Sequence, residues 1–296
     1  MKPKAFLALV RIPTVFSSMS NAYAGYLLGG GRGLSLALGL GIAAAALFIM
    51  AGMALNDVAD AEVDRRERPA RPIPSGAVSL AQAWALSLGM MAAGLVLLWL
   101  ANPLSTAVGV ALCLAIFAYN FMLKGTALGP ASMGLCRMLN LLAGISLAWK
   151  AWPDPRALPI TVYLALFSLW AYIALVTFLA RDEVGGNSKV RSRLFLAGMA
   201  AWFLGWTGAA VLWVKTGPAL PAVWAALALF LKRPLTALAS EPSPRHTGQM
   251  VGALLRLVPM VDVMAMLAGG VPLPWALAGL LWILPAYLVG RIFYST

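Results

Sequence analysis

The sequence predicts an all-α protein, a polytopic bundle of nine to ten transmembrane helices. Three observations carry that expectation. Hydrophobic residues fill 61% of the 296 positions and charged residues only 11%, against about 25% charge in a soluble domain. Apolar runs of roughly 20 residues, long enough to cross a bilayer as a helix, recur to the C-terminus. Every such span must be helical, since lipid leaves no other partner for the backbone polar groups. The whole chain, 1–296, reads as a single domain, and the first apolar run reads as a true span, not a cleaved signal peptide.

The spans are expected near 14–31, 36–58, 79–101, 104–122, 129–149, 158–181, 194–214, 218–234, 248–268 and 272–292. One set of connections is short and rich in Gly and Pro, such as Gly29-Gly30-Gly31, Asn102-Pro103 and Trp152-Pro153-Asp154-Pro155. The other set is longer and basic. Lys2, Lys4 and Arg11, then Arg65, Arg66, Arg68 and Arg71, Lys124, Arg181, Lys189, Arg191 and Arg193, and later Lys232, Arg233, Arg245 and Arg256 gather there. An excess of Lys and Arg marks cytoplasmic loops. Both termini and the basic loops are therefore expected in the cytoplasm, on a multi-pass protein of the cytoplasmic membrane. The net charge of +12 is accounted for by this topology, so no nucleic-acid partner is inferred. Cys113 and Cys136 lie inside apolar runs and read as packing residues, not as a disulfide or a thiolate site.

The chain has ten acidic residues, and Asp57, Asp60, Glu62, Asp64 and Glu67 fall in one stretch at the end of the second span. Treated as one continuing helix at about 100° per residue, Asn56, Asp57, Asp60 and Asp64 share a face. Carboxylate and carboxamide oxygens so placed suit a hard cation such as Mg²⁺, which binds through a few carboxylates, water and a substrate phosphate. Arg65, Arg66, Arg68 and Arg71 follow at once, and guanidinium forks pair with phosphate oxygens. Metal ligands beside arginines describe a diphosphate site. The plain alternative is a solvated helix end with a stop-transfer charge cluster. Asp182 and Glu183 form a second, smaller acidic patch after the sixth span.

Asn56-Asp57-x-x-Asp60-x-x-x-Asp64, followed by Arg68-Pro69-x-Arg71-Pro72-Ile73-Pro74-Ser75-Gly76, resembles the first signature of the UbiA superfamily of intramembrane prenyltransferases. Arg11 and Asn21 on the first helix, Tyr119 to Lys124 after the fourth, and Gly134-Leu-Cys-Arg137-Met-Leu-Asn140 in the fifth resemble further marks of that superfamily. The likeness extends to about residue 215. It implies a UbiA-like helical bundle around a central cavity, and transfer of an isoprenyl group from an isoprenyl diphosphate, with Mg²⁺ as cofactor, to an aromatic or other lipophilic acceptor within the bilayer. By position, Asn56, Asp60 and Asp64, with Asp57, would hold metal; Arg68, Arg71 and Lys124 would hold diphosphate, and Arg11 and Asn21 would line the acceptor side. Tyr119 joins the substrate-binding set. Arg137 and Asn140, at i and i+3, would reach the cavity or cross-link helices.

The second patch departs from the family pattern. The superfamily carries aspartates spaced along the end of the sixth helix, whereas here only Asp182 and Glu183 are acidic, and they are adjacent, with Thr177 and Phe178 one turn upstream. This thinner pattern resembles an EboC-like branch. Asp182 and Glu183 are expected to hold a second metal, and Arg181 to pair with diphosphate. Asp262, alone in the apolar run Val258-Pro-Met-Val-Asp-Val-Met, is an intramembrane carboxylate and so a candidate functional group; the alternative is a packing pair with Arg256 or Arg137. Two other functions stay open to these residues, a membrane terpene cyclase without an acceptor and a prenyl-lipid binding or transport protein without chemistry.

Overall fold

The structure, a computed structural model, describes residues 3–181, 189–213 and 219–293. Those residues form helices and turns, with no strand among them. In chain order the helices are α1 (Pro3–Leu9), α2 (Val15–Leu28), α3 (Leu36–Ala59), α4 (Ala61–Glu67), α5 (Leu80–Ala101), α6 (Pro103–Ala118), α7 (Gly129–Ser146), α8 (Ile160–Ala180), α9 (Lys189–Trp213), α10 (Ala219–Ser240), α11 (Pro244–Arg256), α12 (Val258–Ala268), α13 (Leu273–Ala278) and α14 (Ile283–Phe293). A five-residue π-helix, Tyr119–Leu123, extends α6.

Among the described residues six helices are long and apolar enough to cross a membrane, or seven if α11 and α12 count as one span broken by a 40° bend. The protein is an integral membrane protein, but the ten expected spans do not all meet this measure. The reason lies in the interior helices. α2 has only 14 residues and carries Ser17, Ser18, Ser20 and Asn21, while α7 carries Arg137 and Asn140. Their polar side chains turn inward upon each other, so neither helix resembles an apolar rod. The segment expected as one span over 248–268 is also bent: Pro259 stands at the start of α12, where a proline removes a helical hydrogen bond and ends the preceding run.

Packing centres on α2, α3, α7 and α8. α3 lies along α5, and α7 lies between α2 and α8. The approach of α2 to α7 is close because glycines face one another's backbones. A Cβ added at Gly144 would stand 2.6 Å from the Ala22 carbonyl oxygen, and one at Gly25 would collide with the Leu141 carbonyl. Small residues of this kind let membrane helices meet backbone to backbone. α12 closes the bundle against α2. The ends of α3, the π-helix and α8 and the start of α2 all lie at one end of the molecule, because the side chains of Asp57, Asp60, Lys124, Arg181 and Arg11 meet there or bind neighbouring loops.

Candidate functional site

α3 ends at Ala59 and α4 begins at Ala61, with Asp60 between them at φ −89° and ψ −1°. The continuous helix expected through this stretch is therefore broken into two at Asp60. The break is shallow. The Asp60 amide still donates to the Asn56 carbonyl at 3.0 Å, and the Asp64 amide to the Asp60 carbonyl at 2.8 Å. The helical spacing that puts the acidic residues together survives it. Beyond α4 the chain is locked by short-range bonds. Ser75 N donates to the Arg71 carbonyl, Val78 N to the Pro72 carbonyl, and Gly76 takes φ +74°, a conformation that favours glycine. Ile73 and Val78 are buried beneath the turn, which fixes where Arg68 and Arg71 point.

The carboxylates separate into two groups. Asp57 and Asp64 are buried and hold arginines. Arg11 donates to Asp57 Oδ1 at 2.9 Å, and Arg71 donates to Asp64 Oδ2 at 2.6 Å while lying 3.5 Å from Asp57 Oδ1. Arg68 lies 3.7 Å from Asp64 Oδ1. Arg11 has φ +46°, the one positive φ outside glycine among the described residues. That left-handed turn before α2 directs its guanidinium to α3. Asn56 and Asp60 instead converge on a single cation. Lys124 Nζ donates to Asn56 Oδ1 at 2.8 Å and also to Asp60 Oδ2, which Asn56 Nδ2 approaches at 3.2 Å. Burial pushes the Lys124 ammonium below the usual lysine value, and its bond to Asp60 opposes that shift.

The π-helix sets this geometry. Lys124 N donates to the Tyr119 carbonyl at 2.8 Å, the i→i+5 closure that often marks a functional site. Ile116 faces Gly52, where an added Cβ would lie 3.5 Å from Ile116 Cγ2, and Lys124 faces Asn56 and Asp60. The two segments thus run in one register, residue 52 beside 116 and 60 beside 124, which puts Asn120 level with Asn56. Asn120 was not singled out by the sequence reading. Its Nδ2 donates to the Ile116 carbonyl at 3.0 Å, and its buried Oδ1 has no partner. Tyr119, its neighbour in sequence, is also buried. Arg181 donates to the Lys124 carbonyl at 2.9 Å and to that of Thr126, bracing the Lys124 loop. Asp182 and Glu183 lie outside the described residues.

A second polar cluster is buried between α2, α7 and α12. Asp262 accepts from Ser20 Oγ at 2.5 Å and from Asn21 Nδ2 at 2.8 and 2.9 Å on its two oxygens. Arg137 donates to Ser17 Oγ at 3.0 Å and approaches Asn21 Oδ1 at 3.4 Å. Asn140 donates to the Ser18 carbonyl. Asn21 therefore joins Asp262 and Arg137, not Arg11. Of the two partners weighed for Asp262, Arg137 is the near one, linked through Asn21. Ser17 and Ser20 were missed although Ser17-Ser18-Met19-Ser20-Asn21 puts four polar residues in five positions, a signal that was there to be read.

The sequence profile of the UbiA prenyltransferase family matches residues 18–243. The chain belongs to that family. A digeranylgeranylglyceryl phosphate synthase of Metallosphaera sedula is 40% identical over 141 residues, 47% of this chain and 50% of that protein. The chain thus spans about half the length of that curated relative. Solved structures of UbiA homologues share the fold. One from Aeropyrum pernix K1 gives a TM-score of 0.68 at 21% identity, covering 84% of this chain and 97% of that one. One from Archaeoglobus fulgidus, bound to GPP and Mg²⁺, gives 0.63 at 16% identity, covering 88% and 99%.

The donor chemistry of the UbiA-type motif fits a hard cation. Among the described residues no three carboxylate, His or Cys groups are arranged around a common metal point, because Asp57 and Asp64 are turned to arginines. Asn56 Oδ1 and Asp60 Oδ2, however, already hold one positive charge between them in the form of the Lys124 ammonium. Magnesium asks for one or two protein oxygens and takes the rest from water and phosphate.

Proposed function

We propose that this protein is a membrane prenyltransferase that moves an isoprenyl group from an isoprenyl diphosphate, with Mg²⁺, onto a lipophilic acceptor. The observation that carries the reading is the cluster of four cations, Arg11, Arg68, Arg71 and Lys124, around Asp57, Asp60 and Asp64. Four positive charges against three negative leave a preformed seat for an anion that arrives with a metal. Bound Mg²⁺ supplies charge neutralisation for the departing diphosphate, and Asn56 and Asp60 are the groups that would hold it, with Asp57 and Asp64 closing the same motif. Asp182 and Glu183 are proposed for a second ion.

The residues divide the remaining work. Arg68, Arg71 and Lys124 grip phosphate oxygens, and Asp57 and Asp64 hold the arginines ready so that no reorganisation is needed as charge develops. When the allylic C–O bond breaks, its electron pair leaves with the diphosphate. The acceptor hydroxyl oxygen then forms the new C–O bond and gives up its proton to the departed diphosphate, in an apolar chamber that keeps water from the allylic cation. Tyr119, Arg137, Asn140 and Asn21 line or brace the inner side. The digeranylgeranylglyceryl phosphate synthases among its relatives favour a glyceryl phosphate lipid hydroxyl over an aromatic ring as acceptor. The basic end of the bundle is proposed to face the cytoplasm, with both termini.

The test is direct. Purified full-length protein in nanodiscs with Mg²⁺ is given radiolabelled geranyl, farnesyl and geranylgeranyl diphosphates, together with a prenylglyceryl phosphate or a hydroxybenzoate. Prenylated glyceryl phosphate is the expected product. Hydrocarbon without acceptor would point to a cyclase, and no turnover with any donor would overturn the reading.

A further inference from the structure

At the same end of the bundle, outside the motif cluster, α9 and the end of α10 enclose a recess of about 150 Å³ lined by Lys189, Ser192, Arg193, Leu196 and, across from them, Leu238, Ala239, Ser240 and Pro242. That is several times the ~30 Å³ share of one water. Lys189, Ser192, Arg193 and Leu196 follow the i, i+3, i+4, i+7 spacing of one helix face. Ser192 is 2% exposed, and its hydroxyl has no hydrogen-bond partner. A buried hydroxyl left unpaired is a cost of roughly 1–3 kcal/mol unless something accepts from it. Neither Lys189 nor Arg193 pairs with a carboxylate among the described residues. Ser240 Oγ donates back to the Ala237 carbonyl, so the donors that remain are an ammonium, a guanidinium and one hydroxyl. The described acid nearest in sequence, Glu241, is exposed and does not line the recess.

We propose that this recess is a binding site for a phosphate monoester, separate from the diphosphate clamp. Three donors lining one recess, two of them charged at neutral pH, match the oxygens of a phosphate, and a cation would be repelled there. The depth is right for a lipid headgroup. α10 is long and apolar enough to span the membrane and ends at Ser240, so the recess opens where the span leaves the hydrocarbon. A phosphate-headed lipid would present its phosphate at that level, and a soluble phosphate ester would reach the same donors from water. The site does not depend on prenyl transfer, and its test reads binding, not turnover.

The experiment measures retention of fluorescent phosphatidic acid by the full-length protein in phosphatidylcholine nanodiscs, with glycerol phosphate as a soluble competitor. Wild type is expected to prefer phosphatidic acid to labelled phosphatidylcholine. The Lys189→Gln/Arg193→Gln double variant is expected to lose about tenfold of that preference, the size of one or two charge-assisted bonds. Ser192→Val, which keeps every charge and fits a buried apolar position, is expected to weaken retention severalfold with no loss of thermal stability. Competition by glycerol phosphate would identify a site open to soluble esters, and its failure, with retention intact, a site for the lipid. Equal retention in wild type and Ser192→Val would mean diffuse surface attraction and would overturn the proposal, as would no preference for phosphatidic acid in wild type.

Discussion

Both carboxylate oxygens of Asp262 accept from the side-chain amide of Asn21, at 2.8 and 2.9 Å, across 241 residues of sequence. This contact fixes the Asn21 amide with its nitrogen toward α12, which turns Asn21 Oδ1 toward Arg137. Asp262 is thus the counter-charge of a buried arginine that it reaches through a carboxamide. Removing it leaves Arg137 unpaired in an apolar interior, where the loss of one partner of a buried pair costs about 3–5 kcal/mol. Asp262→Ala is expected to lower the unfolding temperature sharply, while Asp262→Asn, which keeps the hydrogen bonds to Ser20 in altered form, is expected to fall between. Thermal unfolding in detergent measures both. An unfolding temperature for Asp262→Ala equal to that of wild type would show that Arg137 does not rely on this contact.

Lys124 joins the two oxygens best placed for a metal. Its ammonium sits below the usual lysine value because it is largely withdrawn from water. A lysine that must be charged to hold diphosphate loses that charge as pH rises, so the alkaline limb of the rate profile is expected below the range of an ordinary lysine. Arginine keeps its charge throughout that range. Lys124→Arg should therefore move the alkaline limb upward even if it lowers the maximum rate. A pH–kcat/KM series on the two proteins checks this, and an alkaline limb at the same pH in both would assign the titration to another group.

Asp60 is the one carboxylate of the motif that no arginine engages among the described contacts. Asp60→Ala is expected to reduce kcat/KM for the prenyl donor by about a hundredfold or more, the usual cost of deleting one electrostatic stabiliser of a leaving group, and to weaken the dependence on Mg²⁺. Glu62→Gln is the comparison. Glu62 is exposed and bonded to Arg65 at 2.6 Å, and surface pairs of that kind contribute little. Its activity should stay within about twofold of wild type on that principle. Equal losses in the two variants would remove Asp60 from the site.

The motif was legible because its chemistry is written in adjacent positions. Asn56, Asp57, Asp60, Asp64, Arg68 and Arg71 lie within a few helical turns, and the structure keeps them together although α3 breaks at Asp60. What adjacency could not convey is the division of labour among them, since Asp57 and Asp64 face arginines and Asp60 faces Lys124 only once the helices are packed. The inner cluster was legible only in part, because Asn21, Arg137 and Asp262 stood out singly and an Asp262–Arg137 pair was one alternative, while the serines and the Asn21 link between the two did not stand out. Ser20, Asn21, Arg137 and Asp262 come from three helices far apart in sequence, so which of them meet is decided by packing. The helical class was plain from hydropathy, but the bend between α11 and α12 and the short, polar α2 depend on Pro259 and on inward-facing side chains that an apolar average conceals.

Arg11 tests whether backbone and side chain act together. Its φ of +46° places a non-glycine residue in a left-handed conformation that costs roughly 1–2 kcal/mol, and that turn carries its guanidinium to Asp57 at 2.9 Å. Two substitutions separate the effects. Arg11→Ala removes the ion pair and keeps the strained backbone, while Arg11→Gly removes the ion pair and relieves the strain. Both are expected to raise KM for the prenyl donor, because both unpin Asp57 and leave Arg71 to hold it alone. Their stabilities should differ, with the glycine variant more stable than the alanine variant by about 1 kcal/mol, read as a difference in unfolding temperature under identical detergent conditions. An alanine variant at least as stable as the glycine variant would mean that the chain before α2 relaxes out of the left-handed region once the guanidinium is gone, and that the ion pair, not the fold, holds Arg11 there.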